Sequence, residues 1–188
     1  MLNTIISKRI IQAAFIISLI PSTSFAANHI QVGEAVKVFE ADSMGNVTKQ
    51  KLTVHLRETG TIVLARIKPI VPIAVPVAPE KIEELKALFA KSEEWSATAK
   101  ANKVDIEKEI GTYNYSKDME IKLTFVSTKK GKMTFIQMDL KANYRTATFY
   151  LMAKPAKKLI TLLERAPEAI GKLQNKAETE KKKAALFN

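Results

Sequence analysis

His29 and His55 are the only histidines of the chain, and no cysteine accompanies them. Thiol nucleophiles, thiolate metal sites, disulfides and a lipid-modified cysteine are therefore excluded. Two separated histidines do not make a metal site. In strict alternation, His55 falls on the strand face opposite Leu52, Val54 and Leu56, as an ordinary strand histidine would. No nucleophile-elbow pattern stands beside either ring. The carboxylate pairs Glu83–Glu84 and Glu93–Glu94 have the residue types of an acid/base pair. On a helix opening at Pro79 they read as a solvated face. Gly60 and Gly131 serve turns, and no glycine loop could cradle a phosphate. The expectation is a non-enzymatic protein with no catalytic residues, no metal and no cofactor. A hydrolase with an unmarked carboxylate site is the residual catalytic alternative.

Binding chemistry is better represented. The formal charge is +11, and it is uneven. Residues 27–127 hold 14 Lys/Arg and 14 Asp/Glu, whereas residues 128–188 hold 14 Lys/Arg and five Asp/Glu. Lys129, Lys130 and Lys132 mark a hairpin tip. Arg145, Lys154, Lys157, Lys158 and Arg165 fall in or near the last strand and helix. Tyr144 and Tyr150 interleave with them, and Tyr113, Tyr115 and Phe149 are further aromatics of this half. Cations beside rings suit a polyanion with planar groups, and cations beside apolar groups suit an anionic lipid surface. The expected polyanion-binding set is Lys129, Lys130, Lys132, Arg145, Lys154, Lys157, Lys158, Tyr144 and Tyr150. The blander account is a sheet covered by its aromatics and kept soluble by lysines.

A second candidate surface is P-I-V-P-I-A-V-P-V-A-P, Pro69 to Pro79. Proline lacks the N–H that a central strand donates, so the segment reads as an edge strand or strap. Its apolar residues Ile70, Val71, Ile73, Val75 and Val77 are the alternative partner-binding set, for a protein–protein adaptor of a secretion or conjugation apparatus.

The start of the chain sets the compartment. Lys8 and Arg9 precede an uncharged apolar run, Ile10 to Ile20, then Pro21 and Ser24-Phe25-Ala26. This is the pattern of a secretory signal peptide cleaved after Ala26. The run is well short of the ~20 residues of a membrane span, and no later stretch reads as one. A periplasmic or secreted bacterial protein is expected, since the absence of disulfides fits that setting better than a small eukaryotic secreted domain. Removing Lys8 and Arg9 leaves +9, all of it beyond residue 127. The expected partner is an acidic protein or an anionic envelope polymer or lipid. Nucleic acid ranks lower, because an exported protein meets it only during uptake or transfer.

These groups must be positioned by strands and helices. Ala35–Phe39, Lys51–Leu56, Thr61–Ile67, Val104–Ile110, Ile121–Ser127, Met133–Leu140 and Thr146–Met152 have strand patterning. Ile82, Leu85, Leu88 and Phe89 predict a helix that fades near Ser92–Trp95. Leu159, Ile160, Leu162 and Leu163 predict another, with Pro155 near its start. Leu52–Gly60 aligns with Leu123–Gly131, and Thr61–Lys68 with Thr134–Lys141. The expected fold class is α+β: antiparallel hairpins each followed by an amphipathic helix, arranged as a tandem ββββα-like pseudo-repeat. The expected units are 1–26 (signal peptide), 27–102, 103–176 and a basic tail at 177–188. Trp95 reads as a packing wedge.

Overall fold

The computed structural model describes residues 29–42, 44–57, 59–66 and 72–171, together with 175, 178, 179, 182 and 185. The segment expected to be a signal peptide, residues 1–26, lies outside these residues, as does most of the tail.

Period-two alternation builds nine strands. They are β1 (His29–Gln31), β2 (Val36–Ala41), β3 (Val47–Arg57), β4 (Ile62–Arg66), β5 (Ile73–Val77), β6 (Ile106–Ser116), β7 (Met119–Thr128), β8 (Met133–Ala142) and β9 (Arg145–Leu151). Helix α1 (Ile82–Asn102) separates β5 from β6, and α2 (Ala153–Arg165) follows β9. All strands join one antiparallel sheet in the order β5-β4-β3-β2-β9-β8-β7-β6, with β1 added to β3.

This corrects the expected tandem of hairpin-plus-helix units. Residues 29–165, where described, form a single, mostly antiparallel sheet with two α-helices. The two hairpin sets are fused edge to edge, through Phe39 opposite Tyr150, Glu40 opposite Phe149 and Ala41 opposite Thr148. Two separate units would each expose two unpaired sheet edges, and fusion removes one from each. The internal similarity that suggested a repeat is what any antiparallel hairpin shows.

The sheet curls, as twisted sheets do, and brings edge strand β5 against β6, β7, β8 and β9. Tyr113 of β6 reinforces this closure: its buried hydroxyl accepts the Ala78 N–H at 3.0 Å. One continuous core results, from Val36, Leu52 and Val75 to Leu123, Phe149 and Leu163.

Both helices cover the inner face. Helix α1 buries Ile82, Leu85, Phe89, Ser92 and Ala99 and packs on β6, β7 and β8. It runs past the expected end at Ser92–Trp95 because Ala97, Ala99 and Ala101 are strong helix formers. It stops where Lys103 turns left-handed, at φ 52°. Helix α2 buries Ala156, Leu159, Leu162 and Leu163 and packs on β2, β3, β8 and β9. An ion pair of 2.8 Å between Lys86, near the start of α1, and Glu164, near the end of α2, ties the two together. Among the described residues no helix is long and apolar enough to cross a membrane.

Candidate anion-binding site

Pairing of β1 with β3 brings the two histidines together, which their separation in sequence concealed: the rings lie edge to face at 4.8 Å. The Thr53 hydroxyl donates to the Ala65 carbonyl at 3.1 Å, so it accepts from Nε2–H of His55 at 2.9 Å. That assigns the proton of neutral His55 to Nε2. Nδ1 is buried and without a hydrogen-bond partner. Burial, and secondarily the charge of His29, push the His55 pKa down to about 4. Protonation would create a buried N–H with nothing to receive it. These surroundings suit a neutral packing histidine; among the described residues no carboxylate pairs with it.

Glu83 and Glu84 sit on the exposed face of α1, paired with Lys86 at 3.4 Å and Lys81 at 2.7 Å respectively. Among the described residues no group of three His, Asp or Glu could hold a metal ion. Trp95 packs edge-on against Phe125 with centroids 6.0 Å apart, and the Lys108 ammonium lies 4.6 Å over its ring.

The strand register decides which lysines meet. It places the start of β2, the end of β9, the start of β8 and the end of β7 at one end of the sheet. Lys129, Lys130 and Lys132 lie there, in the β7–β8 turn. Lys129 and Lys130 are left-handed, each at φ 56°. The Lys130 N–H donates to Asp105 Oδ1 at 2.5 Å. Gly131 follows at φ 75°, packed so closely that a Cβ would overlap the Ala99 carbonyl of α1. Lys154, Lys157 and Lys158 open α2 at the same end, where the first turn contains no acidic residue. Cations there oppose the helix dipole. Lys158 is held by Glu34 at 3.2 Å, and among the described residues no acid pairs with Lys154 or Lys157.

Other members of the expected set are elsewhere. Tyr144 lies in the β8–β9 turn and Arg145 opens β9, at the far end of a ten-residue strand, about 30 Å from the lysines at ~3.3 Å per residue. Tyr144 is 87% exposed, and the Arg145 guanidinium lies 5.2 Å over its ring. Tyr150 is on the outer sheet face, edge-on to Phe135 at 5.4 Å. Phe149 is wholly buried and Tyr113 nearly so.

Three lysines escaped the sequence reading. Lys37 stands directly opposite Lys51, and Lys49 directly opposite Phe39, on the outer face of β2 and β3. All four side chains are exposed. Like charges directly opposed cost stability, so this placement works against the fold. The half containing them is neutral by count, which hid them. Alternation in V-K-V-F-E over residues 36–40 was the available signal, because it sends Lys37 and Phe39 away from the core. Lys37 is at the start of β2, so Lys37 and Lys51 share the sheet end occupied by Lys132 and Lys154.

The proline strip does not offer the surface expected of it. Ile73, Val75 and Val77 are buried and pair through β5 with Arg66, Leu64 and Ile62 of β4. Their side chains are core, because this edge strand is pressed against the rest of the curled sheet, and only Ala74 and Pro76 face outward. Ile70 and Val71 lie outside the described residues.

Two grooves flank α2. One, of about 430 Å³, runs between α1 and α2 over Phe125, Ile136 and Leu151. The other, of about 640 Å³, is lined by Lys154, Lys157, Lys158 and Arg165 with Gly33, Glu34 and Glu93.

No protein-family model and no curated protein matches the chain. Two solved structures show a distant likeness. One comes from work on SsgB and longitudinal cell division during sporulation of Streptomyces coelicolor. It has TM-score 0.40 and 9% identity, covering 77% of this chain and 92% of that one. The other is an SsgA-like sporulation-specific cell division protein from Thermobifida fusca, with TM-score 0.41 and 13% identity, covering 85% and 98%. At these scores neither likeness transfers a residue or an activity.

Proposed function

We propose that the chain is a non-enzymatic binding protein, exported to the bacterial envelope, that engages an anionic partner through the lysine-bearing end of its sheet. One observation carries this reading: the register gathers Lys37, Lys51, Lys129, Lys130, Lys132, Lys154 and Lys157 at that end, from four separate segments. Asp105, Glu34 and Glu93 also lie near these lysines but are outnumbered. Two arrangements there oppose local stability, the Lys37–Lys51 opposition and the cations on the α2 dipole. Features that work against folding are expected where a function requires them.

The test is binding of mature protein to heparin, to phosphatidylglycerol vesicles and to single-stranded DNA across a salt series. Affinity should fall steeply with salt. Lys154→Glu with Lys157→Glu should weaken it at least tenfold with the melting temperature little changed. Equal affinity in the double variant would remove the assignment. Export is checked separately, by sequencing the N-terminus of protein from the periplasmic fraction. Ala27 is the expected first residue, and retention of Met1 would count against it.

A further inference from the structure

The two grooves beside α2 are one channel, since Glu93, Ala153, Lys157 and Thr161 line both. Their chemistry changes along its length. Between the helices the lining is Phe89, Phe125, Ile136, Leu151, Ala156 and Ile160. That part, at about 430 Å³, falls within the roughly 300–1,000 Å³ usual for small-molecule sites. The Lys86–Glu164 ion pair stands at one end of it. The other end opens among Lys154, Lys157 and Lys158. Glu34 engages Lys158, which leaves Lys154 and Lys157 at the start of α2 and Arg165 at its end as the other cations of this groove. Glu93 lines both grooves, so an anionic head is favoured only against the lysines and away from this carboxylate. An occupant must then be apolar at one end and anionic at the other.

We propose that this channel binds a single-chain anionic amphiphile, a long-chain carboxylate, with its acyl chain between α1 and α2 and its head against Lys154 and Lys157. The proposal rests on the reading of these lysines as anion-binding, and narrows it to one ligand class.

Laurate is the probe, titrated calorimetrically into mature protein below its micellar concentration. Decanoate, dodecyltrimethylammonium and heparin provide the comparisons. One laurate per chain is expected. Decanoate should bind about tenfold more weakly, since each buried methylene is worth roughly fourfold in affinity. The cationic amphiphile, with the same chain, should bind at least tenfold more weakly than laurate. Ala90→Trp fills the groove from an exposed position. It should abolish laurate binding while leaving heparin binding intact, which also reports that the variant is folded. Equal binding of the two dodecyl probes, laurate binding that survives Ala90→Trp, or heparin binding without laurate binding would each overturn the proposal. Loss of heparin and laurate together in the unmodified protein would instead overturn the anion-binding reading beneath it.

Discussion

Phe39 stands directly opposite Tyr150 across the pairing of β2 with β9, on the sheet face turned away from the helices. The first hairpin set and the last meet there. The two rings therefore report on how tightly the halves of the sheet are joined. Cross-strand aromatic pairs contribute about 0.2–1 kcal/mol beyond alanine. A double-mutant cycle of Phe39→Ala and Tyr150→Ala should give a coupling in that range by urea denaturation. The protein should also unfold in one transition, because the core runs unbroken through the seam. Two resolved transitions would mean that the halves are separately stable.

The ion pair of Arg66 with Glu40 is buried in the interior. Their side chains are 8% and 9% exposed. Both occupy positions that continue the core faces of Ile62–Leu64 and Val36–Val38. Removing one partner takes away the buried charge's opposite, at up to about 3–5 kcal/mol. Arg66→Met should lower stability by about that amount in chemical denaturation. Adding Glu40→Leu should recover part of the loss, since the second charge is then gone. If the double variant is less stable than Arg66→Met alone, Glu40 is held chiefly by other neighbours.

These two cases mark what sequence could convey. Strand positions were legible because Val36, Val38, Leu52, Val54 and Leu56 alternate cleanly, and the Pro155 helix start is local chemistry. The join between β2 and β9 was not legible, because it depends on which of several equivalent edges meet after the sheet curls. The candidate site was legible only in part. Lys129, Lys130, Lys132, Lys154 and Lys157 are close in sequence and end up at one end of the sheet. Tyr144 and Arg145 are equally close in sequence, but a full strand of β8 separates them from those lysines. Lys37 and Lys51 were missed because counting charge along the chain averages over faces that the fold keeps apart. The proline strip reads as an edge strand, as β5 is, and Ile73, Val75 and Val77 of the alternative partner surface are buried.

Gly131 connects the lysine turn to α1. At φ 75° it adopts a backbone that L side chains rarely take, and a Cβ would meet the Ala99 backbone, which cannot rotate away. Gly131→Ala should destabilise the protein by roughly 1–3 kcal/mol. It should also weaken anion binding, because Lys130 and Lys132 would be displaced with the turn. Gly45→Ala is the control: its φ is similarly positive at 82°, but nothing lies within 4 Å of the site. It should cost less, because only the backbone strain is shared. Comparing the two melting temperatures separates the close approach to α1 from the conformational penalty.

His55 gives the pH dependence a defined direction. Its folded pKa is lowered to about 4 from an unfolded value of 6.5, chiefly by burial. Between those values the unfolded chain binds a proton that the native ring refuses. Stability is then complete above about pH 6.5, falls as pH drops toward 4, and loses no more from this group below that. The full shift corresponds to an effect on the order of 3 kcal/mol, an upper figure because His29 titrates beside it. His29 is itself lowered, by burial first and by Arg57 second, so it adds to the slope in the same direction. Chemical denaturation at pH 7.5, 6, 5 and 4 should show the decline, and His55→Phe should flatten most of it. If that variant keeps the full slope, the acid sensitivity belongs to the carboxylates and not to the buried ring.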